Sequence, residues 1–128
     1  MLFSIDRRGT RRLTICIGPW ALKFARGVNG RECNRFEANV WKAEAETRRR
    51  DILCPILARL PFDVCLIMRR ATPITEEECK SLRETRGFPE WDYLPGGLDC
   101  PFEPKASDWG RLPDGSLVAL DYSVQALD

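Results

Sequence analysis

The sequence contains no histidine. A zinc site would then have to be built from thiolates alone. The six cysteines, Cys16, Cys33, Cys54, Cys65, Cys79 and Cys100, stand singly with no C-x-x-C pair among them. Most lie inside apolar segments such as "LTICIG" and "DVCLIM", so they read as buried free thiols acting as small hydrophobes. Charge excess is also lacking: 20 Lys and Arg face 19 Asp and Glu, for a net charge of +1. A nucleic-acid binder normally shows a marked basic surplus. The two short basic runs, Arg11-Arg12 and Arg48-Arg49-Arg50, read as solvated faces. No apolar stretch approaches the roughly 20 residues that span a bilayer. "MLFSIDRRGTRR" turns charged too soon for a secretory signal. Together these absences predict a reduced, soluble, cytoplasmic protein with neither a membrane nor a nucleic acid as its partner.

What is present suits one compact domain over residues 1–128. Apolar residues make up 44% of the chain and charged residues 30%, and a chain of this length buries about two-thirds of its unfolded surface. "RRLTICIG" and "PWALKFAR" predict two strands joined by a tight Gly18-Pro19 turn. "GVNG" breaks the chain, and helical spacing of Cys33, Phe36, Val40 and Trp41 or Glu44 predicts a helix over 31–50. "CPILARL" and "DVCLIMRR" predict a second strand pair. Thr75 and Glu78 match a capping box that opens a helix over about 76–86, stopped by Gly87. "FPEWDYLPGGLDCPFEPK" has neither period and reads as an ordered loop pinned by Trp91, Tyr93 and Phe102. "RLPDGSLVALDYS" reads as a hairpin with Asp114-Gly115 at its turn. The fold class is α+β: a small antiparallel sheet with two main helices.

Three of these segments carry a resemblance. "WALK" places Lys23 on a strand directly before the first helix, and Glu37 follows fourteen positions later, with Glu44 two turns further along. "PFEPKASD" (101–108) precedes a strand, a turn and a strand, and "DYS" (121–123) follows them. The set resembles the protein kinases, whose V-A-I-K lysine pairs with an acidic residue on the next helix, and whose H-R-D-L-K-P-E-N loop precedes D-F-G. The resemblance covers residues from about 13 to 123, a kinase N-lobe plus catalytic-loop hairpin. It implies that Lys23 and Glu37 face a nucleotide's phosphates, that Glu103 and Lys105 occupy the catalytic positions, and that Asp108 and Asp121 hold magnesium. It implies Mg-ATP as the cofactor wherever the ancestral site is retained, and no cofactor otherwise.

The departures shape the functional expectation. Pro101 replaces the loop histidine, Glu103 the catalytic Asp, Asp108 the Asn and Ser123 the D-F-G glycine. No G-x-G-x-x-G is present, and the chain ends soon after "DYS", without the segments that support substrate. The expected function is that of a degenerate, truncated kinase-like domain, a pseudokinase acting by protein–protein binding. Its size and degeneracy suit a phage-borne or mobile-element inhibitor of a bacterial defence system, of the anti-CRISPR kind. Two alternatives stand beside it. One is a minimal Mg-ATP-binding protein or phosphotransferase; the other is a regulatory or structural subunit completed by a partner chain. A missing second half leaves an apolar face, so a homodimer is the expected assembly. Lys105 is expected to pair with Asp108 or Asp121.

Overall fold

The computed structural model describes residues 3–6, 11–91 and 100–123. It is an α+β fold with two helices and two antiparallel sheets. The larger sheet holds β1 (Phe3–Asp6), β2 (Arg12–Ile17), β3 (Trp20–Ala25), β4 (Ile56–Arg59) and β5 (Cys65–Arg69), in the order β1-β2-β3-β5-β4. The smaller sheet is β6 (Thr72–Pro73), β7 (Trp109–Arg111) and β8 (Leu117–Ala119). β1 and β6 have no counterpart among the sequence expectations, being four and two residues long.

The β2–β3 hairpin forms where the β-branched run meets Gly18, whose φ of +54° lets the chain reverse in two residues. Its register sets Thr14 opposite Lys23 and Arg12 opposite Ala25. Side chains alternate across a strand, so Arg12 and Lys23 emerge on the same face of the sheet.

Helix α1 (Gly27–Ala43) packs on that face against β3 and β5. It corrects the expected span of 31–50 at both ends. The "GVNG" stretch is its first turn rather than a break: Gly27 takes a φ of +73°, and Gly30 lies against the backbone of Arg11 and Ala25. The C-terminal end comes early because Thr47 turns its hydroxyl back onto Glu44, to the carboxylate at 2.6 Å and the carbonyl at 3.2 Å. A separate 3-10 turn, Arg48–Ile52, follows. Arg49 within it is buried, stacked on Trp91 and 3.5 Å from Glu44, which corrects the reading of 48–50 as wholly solvated.

β4 and β5 form the expected pair, joined through the 3-10 turn Pro61–Asp63. Phe62 and Asp63 both take left-handed φ values, 60° and 57°. The turn is held by Asp63, whose carboxylate accepts from Arg59 at 2.7 Å and Arg35 at 3.1 Å. Helix α2 (Glu76–Thr85) begins where expected, with the Thr75 hydroxyl accepting from the Glu78 amide at 3.0 Å. The capping box is half made, because the Glu78 carboxylate reaches Arg111 instead.

The two sheets are joined by a parallel bridge between Leu53 and Ala119, with the Cys54 amide donating to the Ala119 carbonyl at 2.9 Å. The core runs through both: Val40, Leu66 and Met68 meet Trp109, Val118 and Tyr122. Trp109 is a core residue, edge-on to Phe102, which in turn meets Trp91. Tyr93 lies outside the described residues. Cys33, Cys54, Cys65 and Cys79 are buried as expected, whereas Cys16 is half-buried and Cys100 is exposed. No helix among the described residues is long and apolar enough to cross a membrane.

Candidate functional site

Three elements converge on one buried polar cluster. β2 and β3 supply Arg12 and Lys23 from their shared face, α1 supplies Asn34 and Glu37 one turn apart, and the chain after β8 supplies residues 120–123. Glu37 is fully buried, and the Arg12 and Lys23 side chains are 9% and 10% exposed.

The Lys23 ammonium donates to both Glu37 oxygens, at 3.1 and 3.3 Å, and to the Leu120 carbonyl. An ammonium has three donors, so all three are in use. Glu37 also accepts from the Tyr122 amide at 2.7 Å and from Arg12. The helix partner of Lys23 is therefore Glu37. Glu44 faces Thr47 and Arg49, two turns away.

Arg12 spans the cluster. One nitrogen donates to Glu37 and to the Asn34 side-chain carbonyl at 3.2 Å; the other donates to Asp121 and the Ser123 hydroxyl, both at 3.2 Å. Burial alone would disfavour its cation, but the charges of Glu37 and Asp121 outweigh that and hold its pKa above the ordinary arginine range. Asn34 is buried and donates to the carbonyls of Lys23 and Asp63, at 3.2 and 2.9 Å. It fastens β3 and the Phe62–Asp63 turn to the helix.

Asp121 resists burial through the positive charges of Lys23 and Arg12 and through hydrogen bonds from Ser123, whose amide and hydroxyl donate at 3.1 and 2.8 Å. These hold its carboxyl well below the usual carboxylate range. Asp108 is driven the other way. Burial, then the Asp121 charge, pushes it up to about 7, against Lys105 and the Glu103 amide that donates to it at 3.2 Å. The two carboxylates sit on adjoining segments, because the Asp108 carbonyl accepts from the amides of Leu120 and Asp121 at 2.6 and 3.4 Å.

Glu103 and Lys105 stand apart from the cluster. Their side chains are exposed and face each other at 3.7 Å. This corrects the expected pairing of Lys105 with Asp108 or Asp121: the 3-10 turn Ala106–Asp108 directs Asp108 inward, leaving Lys105 at the surface beside Glu103. Among the described residues, no group of three or more Cys, Asp and Glu could hold a metal ion.

Sequence reasoning brought Lys23, Glu37 and Asp121 together and missed Arg12 and Asn34. The signal for Arg12 was the hairpin register, since a two-residue turn at Gly18-Pro19 sets it on the Lys23 face. Asn34 had only its position one turn before Glu37. No family model, curated protein or solved structure matches the chain.

Proposed function

We propose that this chain is a catalytically inert, protein-kinase-like domain that acts by binding another protein. One observation carries the reading: the Arg12 guanidinium lies between Glu37 and Asp121 and bonds to both. The kinase-like half is supported by the strand lysine paired with a carboxylate of the following helix, and by the strand-turn-strand between Asp108 and Asp121. Phosphoryl transfer needs that ammonium aimed at phosphates and acidic oxygens open to magnesium. Here the ammonium is fully engaged inside the protein, and one Asp121 oxygen is taken up by Arg12 and Ser123. The pair serves as an internal strut.

The binding half is supported by exposed apolar residues around the β4–β5 connection. Leu57, Leu60, Phe62 and Val64 all stand open to solvent, and Phe62 is 84% exposed. Exposed apolar surface of this kind marks contact sites.

Calorimetry with ATP and magnesium tests the inert half. No binding is expected in the wild-type protein. Magnesium-dependent binding that Lys23→Ala abolishes would overturn it; at 100 times the dissociation constant such a ligand would add about 2.7 kcal/mol of stability. Affinity capture with wild type and a folded Phe62→Asp variant tests the binding half, and a partner retained equally by both would remove its basis.

A further inference from the structure

On the side of the fold formed by the β2–β3 turn, the end of β5 and the β7–β8 hairpin lies a cleft of about 440 Å³. That volume falls within the range of small-ligand pockets, about 300–1,000 Å³. It shares no residue with the Lys23 cluster. Three arginines line it, Arg69, Arg70 and Arg111, together with Thr72 and the apolar surfaces of Pro19 and Leu112.

The arginines play different parts. Arg111 is oriented from behind: Glu78 of α2 accepts from its Nε at 2.8 Å and pairs with its second terminal nitrogen at 2.7 Å, while the Gly115 carbonyl accepts at 3.0 Å. A guanidinium carries five N–H donors, so these contacts fix the plane and leave at least two donors uncommitted. Arg70 donates to the Gly18 carbonyl at 3.3 Å, which ties the end of β5 to the β2–β3 turn. Arg69 is exposed, and among the described residues no hydrogen bond or ion pair holds its guanidinium. One carboxylate, Asp114, also lines the cleft, and it is engaged by the Ser116 amide at 2.9 Å. Glu78 balances Arg111, so Arg69 supplies a charge that no hydrogen bond among the described residues holds, and Arg111 supplies aimed donors.

We propose that this cleft binds a small organic oxyanion, a phosphate monoester or a carboxylate. Its anionic head sits between Arg69 and Arg111, and its body lies against Pro19 and Leu112. Planar guanidinium forks match both kinds of oxyanion in paired hydrogen bonds. The Thr72 hydroxyl offers one further donor. The proposal stands independently of the kinase-like reading, because none of its residues belongs to that site.

The test is a titration of the full chain with inorganic phosphate and, separately, with citrate, followed by amide NMR at low ionic strength. Saturable shifts confined to Gly18, Thr72, Leu112 and Asp114 are expected with at least one of them. Phosphate alone would define a phosphate monoester site; citrate alone, a carboxylate site. Arg69→Gln should weaken binding about tenfold, the loss expected for a charge-assisted hydrogen bond. Arg31→Gln, an exposed control with the same charge change, should not. Arg69 meets Asp114 through charge alone, with no hydrogen bond among the described residues to hold it, so its variant keeps the fold. Absence of saturable shifts with either anion, shifts centred elsewhere, or equal weakening by both variants would overturn the proposal.

Discussion

Arg12 and Asp121 stand 109 positions apart in the chain and meet at 3.2 Å. Between them lies Glu37, held from one side by Arg12 and from the other by Lys23. Arg12, Lys23 and Glu37 are thus largely buried while the Asp121 side chain, 43% exposed, closes the edge, and each buried charge depends on the others to be tolerated there.

Removing either cation should therefore be costly. Lys23→Ala and Arg12→Ala should each lower stability by about 3 kcal/mol, since breaking a buried pair leaves a charge uncompensated. Each single variant leaves Glu37 one remaining cation, so the double variant should lose more than the sum of the two. Urea unfolding of all four proteins at neutral pH measures both quantities, and simple additivity would mean that the two cations do not share Glu37.

The two aspartates give opposite pH dependences. Asp121 has a depressed folded pKa, so its contribution is present above the unfolded value of about 3.9 and is lost as pH falls through the folded one. Asp108 is raised to about 7. Between about 4 and 7 the folded state holds its proton while the unfolded state does not, so stability falls as pH rises across that window. Asp108→Asn should flatten that decline and raise the melting temperature at pH 8, because the amide oxygen can still accept from Glu103. Melting curves from pH 4 to 8 decide it; parallel curves for variant and wild type would remove Asp108 as the cause.

Gly30 tests the seating of the helix. A Cβ there would lie 2.2 Å from the Arg11 carbonyl oxygen and 2.9 Å from the Ala25 Cα, both backbone atoms. Despite the better helix propensity of alanine, Gly30→Ala should destabilise by about 2 kcal/mol through overpacking. Asn29→Ala, one residue earlier and exposed, should change stability by less than about 0.5 kcal/mol. Thermal unfolding of the two variants makes the comparison.

Phe62 joins a left-handed backbone to a solvent-exposed aromatic ring, an arrangement unfavourable in two ways. Asparagine tolerates that backbone better, so Phe62→Asn should raise stability by about 0.5 kcal/mol. The same change should abolish partner capture. A variant that gains neither stability nor loses binding would show that this turn carries no functional strain.

Much of this was legible in the sequence where one local rule governed the outcome. Thr75 capped α2 as its spacing with Glu78 indicated, and Asp114-Gly115 made its turn, with Gly115 at a φ of +90°. Lys23 met Glu37 because a strand position and a helix position fixed both directions of approach. Failures came where a distant contact decided. The first turn of α1 was hidden because "GVNG" looks like punctuation. Its glycine at 30 serves instead to let a helix lie against backbone. Arg12 looked like half of a solvated basic pair, since its partners Asn34, Glu37, Asp121 and Ser123 lie 22 to 111 positions away. Glu78 left its cap because Arg111, 33 positions on, offered a charged partner.

The closure of the cluster also orders events in time. Glu37 waits for the Tyr122 amide, 85 positions later, and Lys23 for the Leu120 carbonyl, 97 positions later. During synthesis the β2–β3 hairpin and α1 can meet before residues 120–122 emerge, but their charges should stay partly hydrated until then. Docking of the larger sheet onto the smaller is then expected as a late step. The Tyr122 amide, sealed against a buried carboxylate, becomes a clock for that step: it should exchange its proton with solvent only as fast as the whole structure opens.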